Sequence, residues 1–262
     1  MTDSSSAERL LQSLGVSEPE EIDLESIAWH MGVVRIKYRE LDGCEARIVG
    51  LGNKAIISID RRSMPQRQRF SIGHELGHWH FHRGRTLLCR REDIRETSGV
   101  NAVEQSANRF AADLLLPGYL LLPLARHFPQ LTLKALRELA GRFRASVSAT
   151  AIRLVEGGHS PTLLVCHGLN GRRWFVRSPD VPTRWFPRED LDSESYAFGL
   201  LHGNDAEQAS PRKIDASAFF DRHEADIYEI REQSFRVSND EIVTILTLTD
   251  DEMLEEREID RR

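Results

Sequence analysis

The chain has 262 residues, with 35 Lys and Arg against 41 Asp and Glu and a formal net charge of −6. At 40% hydrophobic and 29% charged residues it can bury a sizeable core, which excludes wholesale disorder and fibrous classes. The acidic balance argues against a whole-surface affinity for nucleic acid, and no apolar stretch approaches the length of a bilayer span, so a cytoplasmic protein is expected.

In chain order, Ala7–Leu14 has a helical pattern with Gly15 as its stop. A second helix reads DLESIAWHMG, with Asp23 placed as N-cap, Leu24, Ile27, Ala28 and Met31 at helical spacing, and Gly32 at the end. Val33–Tyr38 follows, then a candidate strand, Lys54–Ile59, in which Ile56 interrupts the alternation as in a strand covered on both faces. Pro65 starts the helix QRQRFSIGHELGHWHFHRG, which Gly84 closes. Another helix covers Ala102–Leu116 and stops at Pro117. The stretch 131–154 reads as two short helices separated near Ser146. Beyond Gly158 the pattern turns to strands: Thr162–His167 and Arg173–Arg177 flank an Asn170-Gly171 turn, and Ile227–Val237 and Glu241–Thr249 flank Ser238-Asn239-Asp240. From Asp250 on, a charged, frayed end is expected. Cys44, Cys89 and Cys166 lie far apart and suggest three reduced thiols, not a disulfide framework.

This organisation predicts an α+β protein. Its parts are a helical extension over 1–20, a mainly helical domain with a small sheet over 21–158, and a smaller α+β domain over 159–262.

One segment carries chemistry: His74-Glu75-Leu76-Gly77-His78, an HExxH sequence. On a helix the histidines sit about 40° apart, so both imidazoles reach one metal, and Glu75 lies about 100° from His74, near enough to hydrogen-bond water there without ligating. Two neutral nitrogens hold Zn²⁺, an open position takes water, and a carboxylate accepts the water's proton. The surroundings favour a buried helix: Ile72, Leu76 and Trp79 form one apolar face, while Phe70, Gly77 and Phe81 crowd the side of the histidines.

The metzincin pattern fails, because Phe81 and Gly84 occupy the positions of its glycine and third histidine. The helix at 102–116 offers Glu104 and Asp113 as third ligands. A helical wheel puts Glu104 about 100° from Val103, at the edge of the apolar stripe, and Asp113 at about 280°, toward water. Asn108, one turn beyond Glu104, either hydrogen-bonds the site or only satisfies backbone groups. His80 points away from the ligand face. His82 returns to it, as a helix cap or a substrate contact.

Residues 21–158 resemble the ImmA/IrrE family of zinc metallopeptidases. The resemblance rests on EIDLESIAWHMGV, RQRFSIGHELGHWHFHR and EQSANRFAADLLLP, with Gly73 standing where alanine is usual. It implies zinc ligands at His74, His78 and Glu104, Glu75 as the catalytic glutamate, and a zincin-like, gluzincin-type domain. It also implies a zinc-dependent endopeptidase whose substrate is a helix-turn-helix transcriptional repressor, cut to relieve repression. The stretch 131–154 is helix-turn-helix-like and carries a local charge of +4. DNA binding there is one reading, less favoured than a solvated face or a dock for the repressor. The competing class is a non-catalytic, metal-containing regulator that binds DNA through 131–154.

Overall fold

The computed structural model of the chain describes residues 5–83, 87–90 (backbone) and 102–255. It is an α+β protein whose chain forms two compact units, Met1–Leu121 with Ala140–Ser146, and Leu122–Leu139 with Val147–Arg262. Among the described residues no helix is long and apolar enough to cross a membrane.

In the first unit, helix α1 (Ser6–Ser13) opens on a reciprocal cap: the Glu8 N–H donates to Ser5 Oγ at 3.3 Å, and the Ser5 N–H donates to the Glu8 carboxylate at 3.2 Å. Helix α2 (Leu24–His30) starts on Asp23, whose carboxylate accepts the N–H groups of Glu25 and Ser26. It ends before Gly32, with φ +94°, where a Cβ would lie 2.4 Å from the Asn53 carbonyl oxygen. Four strands follow: β1 (Val33–Arg39), β2 (Cys44–Leu51), β3 (Lys54–Asp60) and β4 (Leu87–Arg90), in the spatial order β1-β3-β2-β4. β3 is parallel to β1 and antiparallel to β2, so Ile36, Ile57 and Ile48 lie side by side on one face.

The sequence pattern passes over β2, for two reasons. CEARIVGL lacks a clean alternation, and its Gly50 weakens the strand signal. The structure explains that glycine: a Cβ there would lie 2.2 Å from the Trp79 ring. Trp79 belongs to helix α3 (Pro65–Phe81), which starts on Pro65 as expected and buries Ile72, Leu76 and Trp79. The Trp79 Nε1–H donates to the Met31 carbonyl at 2.8 Å, tying α3 to the end of α2. Helix α4 (Ala102–Leu115) packs along α3 and also contacts α1. Gly84, expected to end α3, lies outside the described residues, as does the Cys89 side chain.

Helices α5 (Gly118–Ala125) and α6 (Leu133–Phe143) are each divided between the units, and α7 (Val147–Glu156) belongs to the second. α6 and α7 are the two short helices expected within 131–154. Arg144, with φ +53°, turns the chain after α6.

The second unit is built on an antiparallel sheet of five strands: β5 (Thr162–Gly168), β6 (Gly171–Arg177), β7 (Arg212–Asp215), β8 (Glu229–Arg236) and β9 (Glu241–Leu248), ordered β6-β5-β9-β8-β7. Both expected hairpins form. In the first, Gly168 pairs with Gly171, so Leu169-Asn170 makes the turn and Gly171 takes φ +101°. Trp185, Phe219, Phe220, Ile242 and Leu246 form the centre of its core, with Leu200 from the short helix α8 (Tyr196–His202). The charged end expected from Asp250 is ordered over 250–255, and the rest of it lies outside the described residues. Asp250 caps helix α9 (Asp251–Leu254), Met253 is fully buried, and its carbonyl accepts the Trp185 Nε1–H at 2.7 Å.

Candidate metal centre

Three sides of α3 do three different jobs. Ile72, Leu76 and Trp79 face the core, and Gly73 and Gly77 face α4. His74, His78 and Glu75 occupy the remaining arc and are all buried. The glycines set how near α4 can come. A Cβ on Gly77 would lie 2.8 Å from the Ala107 Cα, closer than real contacts allow, and one on Gly73 would lie 3.2 Å from Ala111. Small residues on both helices therefore permit the approach that brings α4's polar side chains within reach of the histidines. Gly73 is tight but tolerable as alanine; Gly77 is not.

At that approach the Glu104 Oε2 lies 3.2 Å from the His74 Nε2 and 3.3 Å from the His78 Nε2. The two Nε2 atoms are 2.9 Å apart, and the rings meet edge to face with centroids at 4.5 Å. Burial pushes the Glu104 carboxyl up, but hydrogen bonds and charge from His74 and His78 outweigh it and hold the group down at about 2. Asn108 lies one turn along α4, with its Oδ1 2.9 Å from the His74 Nδ1.

These donors fit a divalent cation of the zinc type. Ligand atoms about 2.0–2.1 Å from a tetrahedral zinc are about 3.3 Å from one another, close to the three separations found. His74, His78 and Glu104 are the only group of three or more His, Cys, Asp or Glu among the described residues whose ligand atoms converge in this way. Two imidazoles and a carboxylate leave a coordination position over, the arrangement of a catalytic site and not of a closed structural one. Without a cation, two imidazole nitrogens and a carboxylate oxygen share a buried point that offers few protons to bind them.

The structure brings together the two histidines and Glu104, and Glu75, beside His74 in the chain, is fully buried. The structure corrects the placement of Asp113, which is buried at 3% exposure and does not face water. The exposed Arg109 has its Nε 4.0 Å away. The wheel assumed a single packed neighbour, whereas α4 packs against α3 and also contacts α1. Glu104, the less buried carboxylate, is the one beside the histidines. Phe81 is also more exposed than its place in the pattern suggests, and stacks edge-on against Phe110. His80 is exposed and stacks on Phe110 at 5.1 Å. His82 is the C-cap residue of α3, its ring 6.0 Å from that of His78.

Sequence reasoning missed Arg67, two turns before His74 on the same arc. It pairs with the buried Glu45 and lies over the Phe70 ring, which stacks on His74 with centroids at 6.4 Å. The seven-residue spacing was the available signal. In the basic stretch, Arg137 pairs with Glu207, Arg142 pairs with Glu18 and Glu20, and Arg144 donates to the Ile22 carbonyl. Burial pushes the Cys166 thiol up to about 12, well away from reactive cysteines.

Residues 32–155 match the model of a peptidase family described as the IrrE N-terminal-like domain. No curated protein matches the chain. Among solved structures, a Mycobacterium tuberculosis transcriptional regulator is similar in fold, with a TM-score of 0.53 at 14% identity. The match covers 93% of this chain and 86% of that one.

Proposed function

Starting from a chain whose residues 32–155 belong to the IrrE N-terminal-like peptidase family, we propose that it is a zinc-dependent endopeptidase acting on a helix-turn-helix transcriptional repressor or antitoxin-type regulator. The observation that carries this is the convergence of His74, His78 and Glu104 next to a fully buried Glu75. His74 and His78 hold the metal through Nε2 and Glu104 through a carboxylate oxygen. Zinc bound there supplies a Lewis acid for the scissile carbonyl and for the acidification of water. With the metal bound, Glu75 would accept a proton from water on a carboxylate oxygen and pass it to the leaving amine nitrogen. A site that only stabilised the fold would need no such base.

The choice of a repressor as substrate rests on the family resemblance and is supported by the regulator among similar folds. The peptidase domain is assigned to 21–158, and 159–262 is a second domain whose role is open. A cytoplasmic location agrees with the absence of a membrane-spanning helix among the described residues. The alternative, a non-catalytic regulator binding DNA through 131–154, draws on that same regulator. The engagement of Arg137, Arg142 and Arg144 with acidic groups and a carbonyl weighs against it.

The test is Glu75→Gln, which keeps shape but removes the base. Zinc-loaded wild type and variant are incubated with helix-turn-helix repressors from the same genome and read by intact mass. The expectation is cleavage by the wild type alone with equal zinc in both. Wild-type cleavage rates in the variant would remove Glu75 from the mechanism.

A further inference from the structure

We infer that Asn108 is a positioning residue that sets the tautomer of His74, so that one of the two imidazoles is pre-arranged for metal while the other is not. This rests on the metal reading above. The contact that carries it is the 2.9 Å separation between Asn108 Oδ1 and His74 Nδ1.

An amide oxygen can only accept, so His74 must carry its proton on Nδ1. When the ring is neutral, as metal binding requires, the Nε2 is then left with a lone pair, and it is the Nε2 that lies 3.2 Å from Glu104 and 2.9 Å from the His78 Nε2. The opposite setting of the amide would be self-defeating. Its Nδ2 would donate to the His74 Nδ1, the ring proton would move to Nε2, and that nitrogen could no longer ligate. His74 is fully buried, so bulk water does not compete with the amide for its Nδ1. His78 differs: its Nδ1 is buried and has no hydrogen-bond partner among the described residues.

Position on the helix explains how one element supplies two functions. Asn108 is four residues after Glu104, so both point from the same side of α4. The close approach of α4 to α3 at Gly77 and Ala107 sets the height of both. A neutral amide polarises the His74 ring less than a carboxylate would. Asn108→Asp therefore keeps the acceptor and strengthens it, whereas Asn108→Ala removes it. Loss of such an outer partner typically weakens metal binding by about 10–100-fold.

The experiment compares the full-length wild type, Asn108→Ala and Asn108→Asp by zinc competition against a chromogenic chelator near neutral pH. Thermal midpoints of the metal-free proteins accompany it, together with two-dimensional ¹⁵N–¹H histidine spectra of the metal-free wild type. The inference expects three results: Asn108→Ala binds about 10–100-fold more weakly, Asn108→Asp binds at wild-type strength or tighter, and the spectrum puts the His74 proton on Nδ1. Unchanged affinity in Asn108→Ala overturns it, as does an Asn108→Asp protein as weak as Asn108→Ala, or a His74 proton found on Nε2. Should Asn108→Ala fail to fold, the aspartate variant and the wild-type spectrum still decide. A wild type that binds no zinc would instead sink the metal reading itself, a failure distinct from the others.

Discussion

Two glutamates, one in each compact unit, are buried in opposite ways. Glu104 on α4 lies against two imidazoles, which hold its carboxyl down at about 2 in spite of burial. Glu232 on β8 is completely buried, and desolvation pushes it up to about 7. It accepts the N–H groups of Ala197 at 2.7 Å and Tyr196 at 3.2 Å, and the Ser234 hydroxyl at 3.4 Å, and these only partly offset the cost. Neutral donors alone do not keep a buried carboxylate charged at low pH; groups that can carry positive charge do. The first unit thus maintains an anion beside nitrogen ligands, where a cation would complete it. In the second, the same side chain anchors the start of α8 to the sheet.

The sharpest way to break this contrast is to remove Glu104. Glu104→Ala leaves two histidines in a buried site. Zinc affinity should then fall by more than the 10–100-fold that loss of an outer partner costs, and peptidase activity should fall with it. Equal zinc dissociation constants for variant and wild type would show that Glu104 is not a ligand.

The Glu232 side of the contrast is read through pH. Its folded pKa, about 7, is raised above the ordinary 4.5, so the native state binds the proton more tightly than the unfolded chain. Its contribution to stability is therefore fully present below the ordinary value and is lost as pH rises from about 4.5 through about 7, by about 3 kcal/mol when the shift is converted. Glu232→Gln, a mimic of the protonated form, should flatten that decline in urea unfolding at the two ends of the window. A variant that retained the full slope would place the titrating group elsewhere.

A third buried carboxylate sharpens the comparison with the smallest effect. Asp113 lies on α4 with Glu104 but away from the histidines. Asp113→Ala should leave zinc affinity unchanged and lower stability by about 1–3 kcal/mol, the range for a buried polar group left without its partner. A large loss of zinc with little loss of stability would reverse the roles of the two acids.

What the sequence by itself determined about this protein was whatever depends on residues a few positions apart. The cap at Asp23 acts within one turn, as do the start of α3 at Pro65 and the geometry that turns His74 and His78 to one side. The α+β class and both hairpins of the second sheet were legible for the same reason. Tertiary structure alone decided the rest, because each feature needs a partner distant in the chain. Strand β2 is recognisable only once β3 and β4 flank it, and its Gly50 makes sense only under Trp79. Asp113 is buried although a wheel drawn for one helix turns it to water, because burial depends on every element packed around α4, α1 among them. Glu232 takes its raised pKa from a core assembled by strands and a helix far from it in sequence. The direction of the Asn108 amide, on which the His74 tautomer depends, was fixed by how closely Gly77 lets two helices approach. Local spacing encodes which side chains can share a face, and packing decides what that face meets.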